Sequence, residues 1–358
     1  MDEQPTDDDL ETNNFNLYVG SSTGVLKGVY FGGNTPILKN FSPKNDPNSQ
    51  DLPSSITSLS WGSEKNKSLL VGFSNGNLRV YNPKLRAFTT SYQLDVKSPL
   101  VRAFSLDDER IVSTLENGRL SVYSHEKDET ILEINTGQHL SVMRQLEVRS
   151  SIVATGGKEN DLKIFDLSSE KPEEPVFKAR NVRHDFLDLR VPVWVQDLTF
   201  VNNSSELVAT CSRHGQARIY DVRAGQRPQI DFKVLDDEGL MAICDTGQSW
   251  QVIVGGNKGT TASVDLRYPG KGKLVHKFSA ASGSVRSLDF RNNFIVSGGL
   301  DRHLYVYNLY EKKAVKKLYL KTRLTQVIMT EDFRLGRVKK EIEDDEPEVI
   351  PLKRLKAK

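Results

Sequence analysis

Residues 294–307 read FIVSGGLDRHLYVY: an apolar pair, a turn of small residues, then an alternating run that ends in an aromatic. The same pattern occurs as LYVGSSTGVLKGVY (17–30), LLVGFSNGNLRVY (69–81), IVSTLENGRLSVY (111–123), IVATGGKENDLKIF (152–165), LVATCSRHGQARIY (207–220) and VIVGGNKGTTASV (252–264). The copies end at Tyr30, Tyr81, Tyr123, Phe165, Tyr220, Val264 and Tyr307, in steps of 51, 42, 42, 55, 44 and 43 residues. Each copy reads as a hairpin. Its alternation has period two, with Leu78 and Val80 on one side and Arg79 turned outward. Its turn holds Gly, Asn and Ser, which tolerate positive φ. A period of about 40–45 residues made of short strands marks a β-propeller with four strands per blade. The expected fold is therefore all-β: a seven-bladed WD40-type propeller.

The hairpin supplies strands b and c of each blade. A strand a precedes most hairpins, as in ITSLSW (56–61), LVRAFS (100–105), VMRQLEV (142–148), VWVQDLTF (193–200), LMAICD (240–245) and VRSLDF (285–290). A strand d follows, as in AFTTSYQL (87–94), KLVHKFS (273–279) and AVKKLYL (314–320). The first hairpin has only a polar stretch before it. RLTQVIMT (323–330) has strand-a spacing but no hairpin after it. The C-terminal segment is thus expected to complete the first blade and close the ring, which removes open sheet edges. The domains follow: an acidic tail (1–14), the propeller (15–333) and a charged tail (334–358). Both tails are poor in large apolar residues, and disorder is expected there.

Of 358 residues, 49 are Lys or Arg and 47 Asp or Glu, but the charge is uneven. Residues 1–12 carry six acids and no base, residues 331–358 carry eight of each, and residues 13–330 keep a charge of +8. A basic body points to a polyanionic partner. No run reaches the roughly 18 apolar residues of a membrane span, so no membrane partner is expected. The acidic start, MDEQPTDDDLETNN, does not read as a signal peptide. Cys211 and Cys244 stand in apolar strand contexts and read as reduced, buried thiols.

Catalytic and cofactor signatures are absent from the linear sequence. GKGK (270–273) lacks phosphate-loop spacing, and GGNKG (255–259) is a hairpin turn. The six histidines have no metal-ligand spacing, and no nucleophile elbow occurs. The chain is expected to be no enzyme and to use no cofactor.

The longest step holds PVFKARNVRHDFLDLRVPVWVQDLTF (175–200). Lys178, Arg180, Arg183 and Arg190 are interleaved with Phe177, Phe186, Leu189 and Trp194, a mixture typical of interaction surfaces. The bland reading is a d strand and a packed loop whose arginines pair with Asp185 and Asp188. In a WD-type propeller the b–c turns and d–a loops share one face. That brings the 156–160 turn, the 181–192 loop and the 212–215 turn together, with Lys258, Arg302 and His303 farther round as a basic rim. Such a rim can meet phosphates or an acidic protein segment. In the C-terminal tail EIEDDEPE (341–348) precedes KRLKAK (353–358), where Lys353, Arg354, Lys356 and Lys358 read as solvated tail or a nuclear targeting signal.

ATGGKENDLKIFDL, the long motif FKARNVRHDFLDLRVPVWVQDLTF and ATCSRHGQARIYD together resemble the WD-repeat nucleolar assembly factors of the large (60S) ribosomal subunit precursor. These motifs span about 154–221, and the repeat layout extends the likeness over about 15–330. The resemblance implies a non-enzymatic scaffold, monomeric outside the particle, that docks on pre-60S particles in the nucleolus or nucleus and supports rRNA processing. It also implies release linked to an AAA-type ATPase. By motif match the family surface would be Lys158, Glu159, Asn160, Lys178, Arg180, Asn181, Asp188, Arg190, Trp194, Arg213 and His214, with Arg183 inside the same motif. No repeat ends in Trp-Asp, Phe165 stands where the generic repeat has Trp, and the C-terminal tail is short.

Two other functions compete. Tyr220-Asp221-Val222-Arg223 and Val264-Asp265-Leu266-Arg267 resemble the WDxR signature of substrate receptors of cullin-type ubiquitin ligases, with Trp replaced. Asp and Arg there also suit a pair within the blade. The third reading is direct RNA binding by the basic rim, without base-specific readout.

Overall fold

The computed structural model describes residues 15–32, 35–42, 54–63, 65–94, 98–248, 250–267, 272–278 and 281–336. Among them every regular element is a strand apart from one short 3-10 turn at Val201–Asn203. Seven antiparallel sheets of four strands form. The first hairpin is β1 (Leu17–Ser21) and β2 (Leu26–Tyr30), with β3 (Ile37–Phe41) outside it. Blade two is β4 (Ile56–Trp61), β5 (Leu69–Phe73), β6 (Asn77–Asn82) and β7 (Ala87–Gln93). Blade three is β8 (Leu100–Ser105), β9 (Arg110–Leu115), β10 (Arg119–Ser124) and β11 (Glu129–Asn135). Blade four is β12 (Leu140–Gln145), β13 (Ile152–Gly157), β14 (Asn160–Asp166) and β15 (Phe177–Lys178). Blade five is β16 (Val195–Phe200), β17 (Leu207–Ser212), β18 (Gln216–Asp221) and β19 (Ile230–Lys233). Blade six is β20 (Leu240–Asp245), β21 (Gln251–Gly256), β22 (Thr261–Asp265) and β23 (Lys273–Phe278). Blade seven is β24 (Val285–Arg291), β25 (Phe294–Gly299), β26 (His303–Asn308) and β27 (Lys313–Tyr319).

The last strand, β28 (Leu324–Met329), joins the first blade in the order β28-β1-β2-β3. Leu17 faces Met329, Tyr18 faces Ile328 and Val19 faces Val327. The C-terminal strand therefore completes blade one, as its spacing predicts. Contacts between the chain ends continue beyond the strand: Asn16 Nδ2 donates to the Arg334 carbonyl at 3.0 Å, and Gly336 N–H to the Phe31 carbonyl at 2.6 Å. Phe333 is fully buried between Phe31 and Phe294. The N-terminal tail (1–14) lies outside the described residues, and so do Lys353, Arg354, Lys356 and Lys358 of the C-terminal tail.

The core lies between neighbouring sheets rather than inside any one of them. One cluster joins Val142, Leu162 and Ile164 of blade four to Val195, Leu198 and Tyr220 of blade five. The aromatic that ends strand c is a main filler: Tyr81, Phe165, Tyr220 and Tyr307 are all fully buried. Each blade is thus covered on both faces by its neighbours, which overturns one expectation. Arg79, on the face turned away from Leu78 and Val80, is only 9% exposed, and its counterpart Arg218 in blade five is buried too. In a sheet sandwiched between sheets, the second face of a period-two strand is not solvent.

A register shift recurs at the second residue of the innermost strand, between Ile56 and Ser58, Leu100 and Arg102, Leu140 and Val142, Val195 and Asp197, Leu240 and Ala242, and Val285 and Ser287. Such bulges increase local twist and re-aim side chains. Here they repeat once per blade along the channel wall.

Candidate functional site

Blade four departs from the others at its outer edge. Strand β15 has two residues, because the chain leaves the sheet after Lys178 and crosses to blade five as the 179–194 segment. That segment is fixed at several points. Ala179 N–H donates to the Leu162 carbonyl at 2.9 Å and Arg180 N–H to the Gln226 carbonyl at 2.8 Å. Asn181 Nδ2 donates to the Val191 carbonyl at 2.6 Å, while its Oδ1 accepts from Arg218 Nη1 at 3.2 Å.

The segment then meets two b–c turns. Glu159 N–H donates to the Val193 carbonyl at 2.9 Å, and Val193 N–H donates back to Glu159 Oε1 at 3.3 Å. Glu159 adopts a left-handed backbone (φ 51°), and Lys158 bridges to Trp194. Gly157, just before the turn, has no room for a side chain, since a Cβ there would lie 2.1 Å from the His139 carbonyl oxygen. From blade five, Arg213 N–H donates to the Trp194 carbonyl at 3.1 Å. Trp194 is thereby held between the turns of two adjacent blades.

Its ring is flanked by charge. Lys158 Nζ lies 4.9 Å and the Arg213 guanidinium carbon 4.8 Å from the ring centroid. His214 meets the ring edge-on at 6.4 Å. Each cation–π contact contributes on the order of 0.5–1 kcal/mol at an exposed site. Arg190 Nη2 sits 2.8 Å from Glu159 Oε2, which joins the loop to the same cluster. With two cations already against its ring, Trp194 offers little open face for a nucleobase. The cluster instead presents positive charge held in place by an aromatic.

Beyond the cluster the loop forms an ordered tip. Asp185 Oδ1 accepts from the N–H groups of Leu187 and Leu189, both at 2.9 Å, and Asp185 N–H donates to the Leu189 carbonyl at 3.0 Å. His184 Nδ1 lies 2.8 Å from Asp188 Oδ1. The turn displays Phe186 at 94% exposure, with Leu187 and Leu189 also exposed. Apolar side chains massed on a loop tip mark a contact surface.

The expected residues thus separate into groups. Lys158, Glu159, Arg190, Trp194, Arg213 and His214 are brought together. Arg183 and Asp188 are exposed on the tip, while Lys178 and Arg180 are exposed along the outer edge. Lys258 and Arg302 occupy the b–c turns of blades six and seven, and His303 opens β26, where its ring nitrogen Nδ1 lies 2.8 Å from the Asp301 carbonyl oxygen.

Two readings need correction. Asn160 is only 5% exposed, so it is no surface residue. Its Nδ2 donates to the Thr136 and Gln138 carbonyls, both at 3.2 Å, and its Oδ1 accepts from Lys163 Nζ at 2.9 Å. The loop arginines also do not pair with Asp185 and Asp188. Asp185 is spent on backbone amides and Asp188 on His184, while Arg190 takes Glu159.

Sequence reasoning missed Lys163 and Arg218. Burial and the nearby Lys178 push the Lys163 ammonium down. Arg218 supports Asn181 and lies 3.4 Å from Asp231. The available signal was their position on strand c, the same as that of Arg79. In the segments that resemble WDxR, Asp and Arg pair inside their own blade: Arg223 Nε lies 3.4 Å from Asp221, and Arg267 Nε donates to Asp265 at 3.0 Å.

Comparison with known proteins agrees with this architecture. The family described as WD domain, G-beta repeat matches residues 272–308. WD repeat-containing protein 74 of Homo sapiens is 33% identical over 340 residues, 93% of this chain and 84% of the relative. Its Bos taurus counterpart is 33% identical over 339 residues, with the same coverage. Ribosome biogenesis protein NSA1 of Yarrowia lipolytica is 25% identical over 368 residues, 90% of this chain and 88% of that protein. Repeat register, ring closure and similarity over 93% of the chain converge: the chain belongs to the family of WD repeat-containing protein 74.

Proposed function

We propose that this chain is a ribosome biogenesis factor: a non-enzymatic scaffold that docks on pre-60S particles in the nucleolus and supports rRNA processing and large-subunit assembly. Membership of a family whose fungal relatives are named ribosome biogenesis proteins supports the role. The observation that carries the docking site is the Trp194 cluster, in which Lys158 and Arg213 from two blades flank one aromatic. The docking surface comprises that cluster, Glu159, Arg190 and His214, and the edge and tip residues Lys178, Arg180, Asn181, Arg183 and Asp188. Lys258, Arg302 and His303 extend it round the rim. The factor is monomeric outside the particle, and an AAA-type ATPase drives its release.

The test is affinity purification of the full chain followed by gradient sedimentation. Recovery with 60S-sized precursors supports the reading. Recovery of cullin adaptors without pre-ribosomal proteins overturns it. Changing Lys158, Arg180 and Arg190 together to Glu abolishes particle association while the ring stays folded. Unchanged association in that variant places the interface elsewhere.

A further inference from the structure

The innermost strands enclose the central channel, and their a–b loops form its mouth on the face opposite the Trp194 cluster. The mouth widens into a cavity of about 510 Å³, lined among others by Ser60, Arg102, Arg144, Gln145, Asp289 and Gln326. Small-molecule sites fall in the range of roughly 300–1,000 Å³.

Most charges here are matched. Lys65 lies 3.0 Å from Glu147 and 3.1 Å from Glu331, and Arg291 lies 3.1 Å from Glu147. Arg144 grips Asp197 with Nε at 3.1 Å and Nη2 at 2.8 Å. Asp197 also accepts from the N–H groups of Ile243 and Leu198, so its oxygens are taken.

Arg102 is a cation left unmatched. It is only 8% exposed, yet among the described residues it makes no hydrogen bond and no ion pair. Burial and the like charge of Arg144 push its guanidinium down to about 9, against a weaker pull from Asp197. A buried cation without a counter-ion is costly. Nη1 of Arg144 likewise has no acceptor among the described residues, because only Nε and Nη2 are used.

We propose that the channel mouth binds a small free phosphate compound, held by Arg102 and by Nη1 of Arg144. Guanidinium forks match phosphate oxygens in geometry and charge. The combined donors of two guanidinium groups exceed the lone pairs of a single carboxylate and suit the terminal oxygens of a phosphate. The neighbouring acids Glu147 and Asp197 are already neutralised by their own cations, and Asp289, whose carboxyl burial pushes up, has its oxygens taken by the N–H groups of Phe290 and Met329, so no carboxylate is turned to Arg102 as its partner.

The experiment titrates the full chain with pyrophosphate by calorimetry, and follows its melting temperature with and without pyrophosphate at matched ionic strength. One equivalent binds the wild-type chain and raises its melting temperature. Arg102→Met, which keeps the length and removes the charge, weakens binding by roughly ten-fold or more. Without phosphate it is at least as stable as wild type, since an unmatched buried charge has been removed. Arg102→Lys keeps the charge without the fork and falls between the two, which gives a folded comparison if the Met variant aggregates. Absence of binding at millimolar pyrophosphate overturns the proposal. So does equal binding by all three proteins, or an Arg102→Met variant less stable than wild type in phosphate-free buffer.

Discussion

Trp61 donates its indole N–H to the carbonyl of Met329 at 3.0 Å, across 268 positions of sequence. The donor stands on the inner strand of blade two and the acceptor on the strand that closes blade one. Trp61→Phe keeps a ring beside Tyr18 but leaves that carbonyl without its donor. The expected cost is about 1–2 kcal/mol in urea denaturation. Deleting residues from 323 onward removes β28 and bares the edge of β1, and that protein is expected to aggregate.

Lys158→Glu combined with Arg213→Glu replaces both cations at Trp194. Particle association in gradient sedimentation should fall by about ten-fold or more, equivalent to at least about 1.4 kcal/mol. Stability should change by less than about 1 kcal/mol, because both side chains are exposed.

Asn160→Ala should behave in the opposite way. Two carbonyls lose their donor and Lys163 loses an acceptor. A loss of about 2–3 kcal/mol in chemical denaturation is expected, with no new charge on the docking face.

Phe186→Ser tests the loop tip. At 94% exposure the ring contributes almost nothing to folding, so the denaturation midpoint should hold within about 0.5 kcal/mol. Weaker sedimentation with precursor particles would then report a contact made only in the complex.

Acid should loosen the channel mouth through Glu147. Burial alone would raise its carboxyl, but Arg291 and Lys65 outweigh that and hold it below the ordinary 4.5. A folded value below the unfolded one contributes stability above pH 4.5, and that contribution is lost as pH falls through the lowered value. The stability gap between wild type and Glu147→Gln, measured by denaturation, should therefore be constant at neutral pH and close in acid.

The fold was legible because each hairpin carries its own register and turn chemistry, so the seven copies align without reference to tertiary contacts. Ring closure was legible for a different reason: one hairpin lacked a strand a, and one strand a lacked a hairpin. The site was readable only in part. Trp194 with Lys158 and Arg213 follows from topology, since b–c turns and d–a loops share a face. Asn160 did not, because its partners are backbone carbonyls at Thr136 and Gln138, which leave no trace in side-chain identity. Nor did the solitary state of Arg102, which depends on Arg144 having claimed Asp197 from a different strand.

The pairing of Leu17 with Met329 also sets a timetable for biosynthesis. Strand β1 leaves the translating ribosome more than three hundred residues before its inner neighbour exists. At about 5–20 residues per second, that edge waits roughly 15–60 s. The middle blades can assemble meanwhile from contiguous chain, but the first is finished last. A nascent chain that stops short of Leu324 therefore keeps an unsealed edge, open to chaperones and proteases, and only a chain read through to its final strand escapes them.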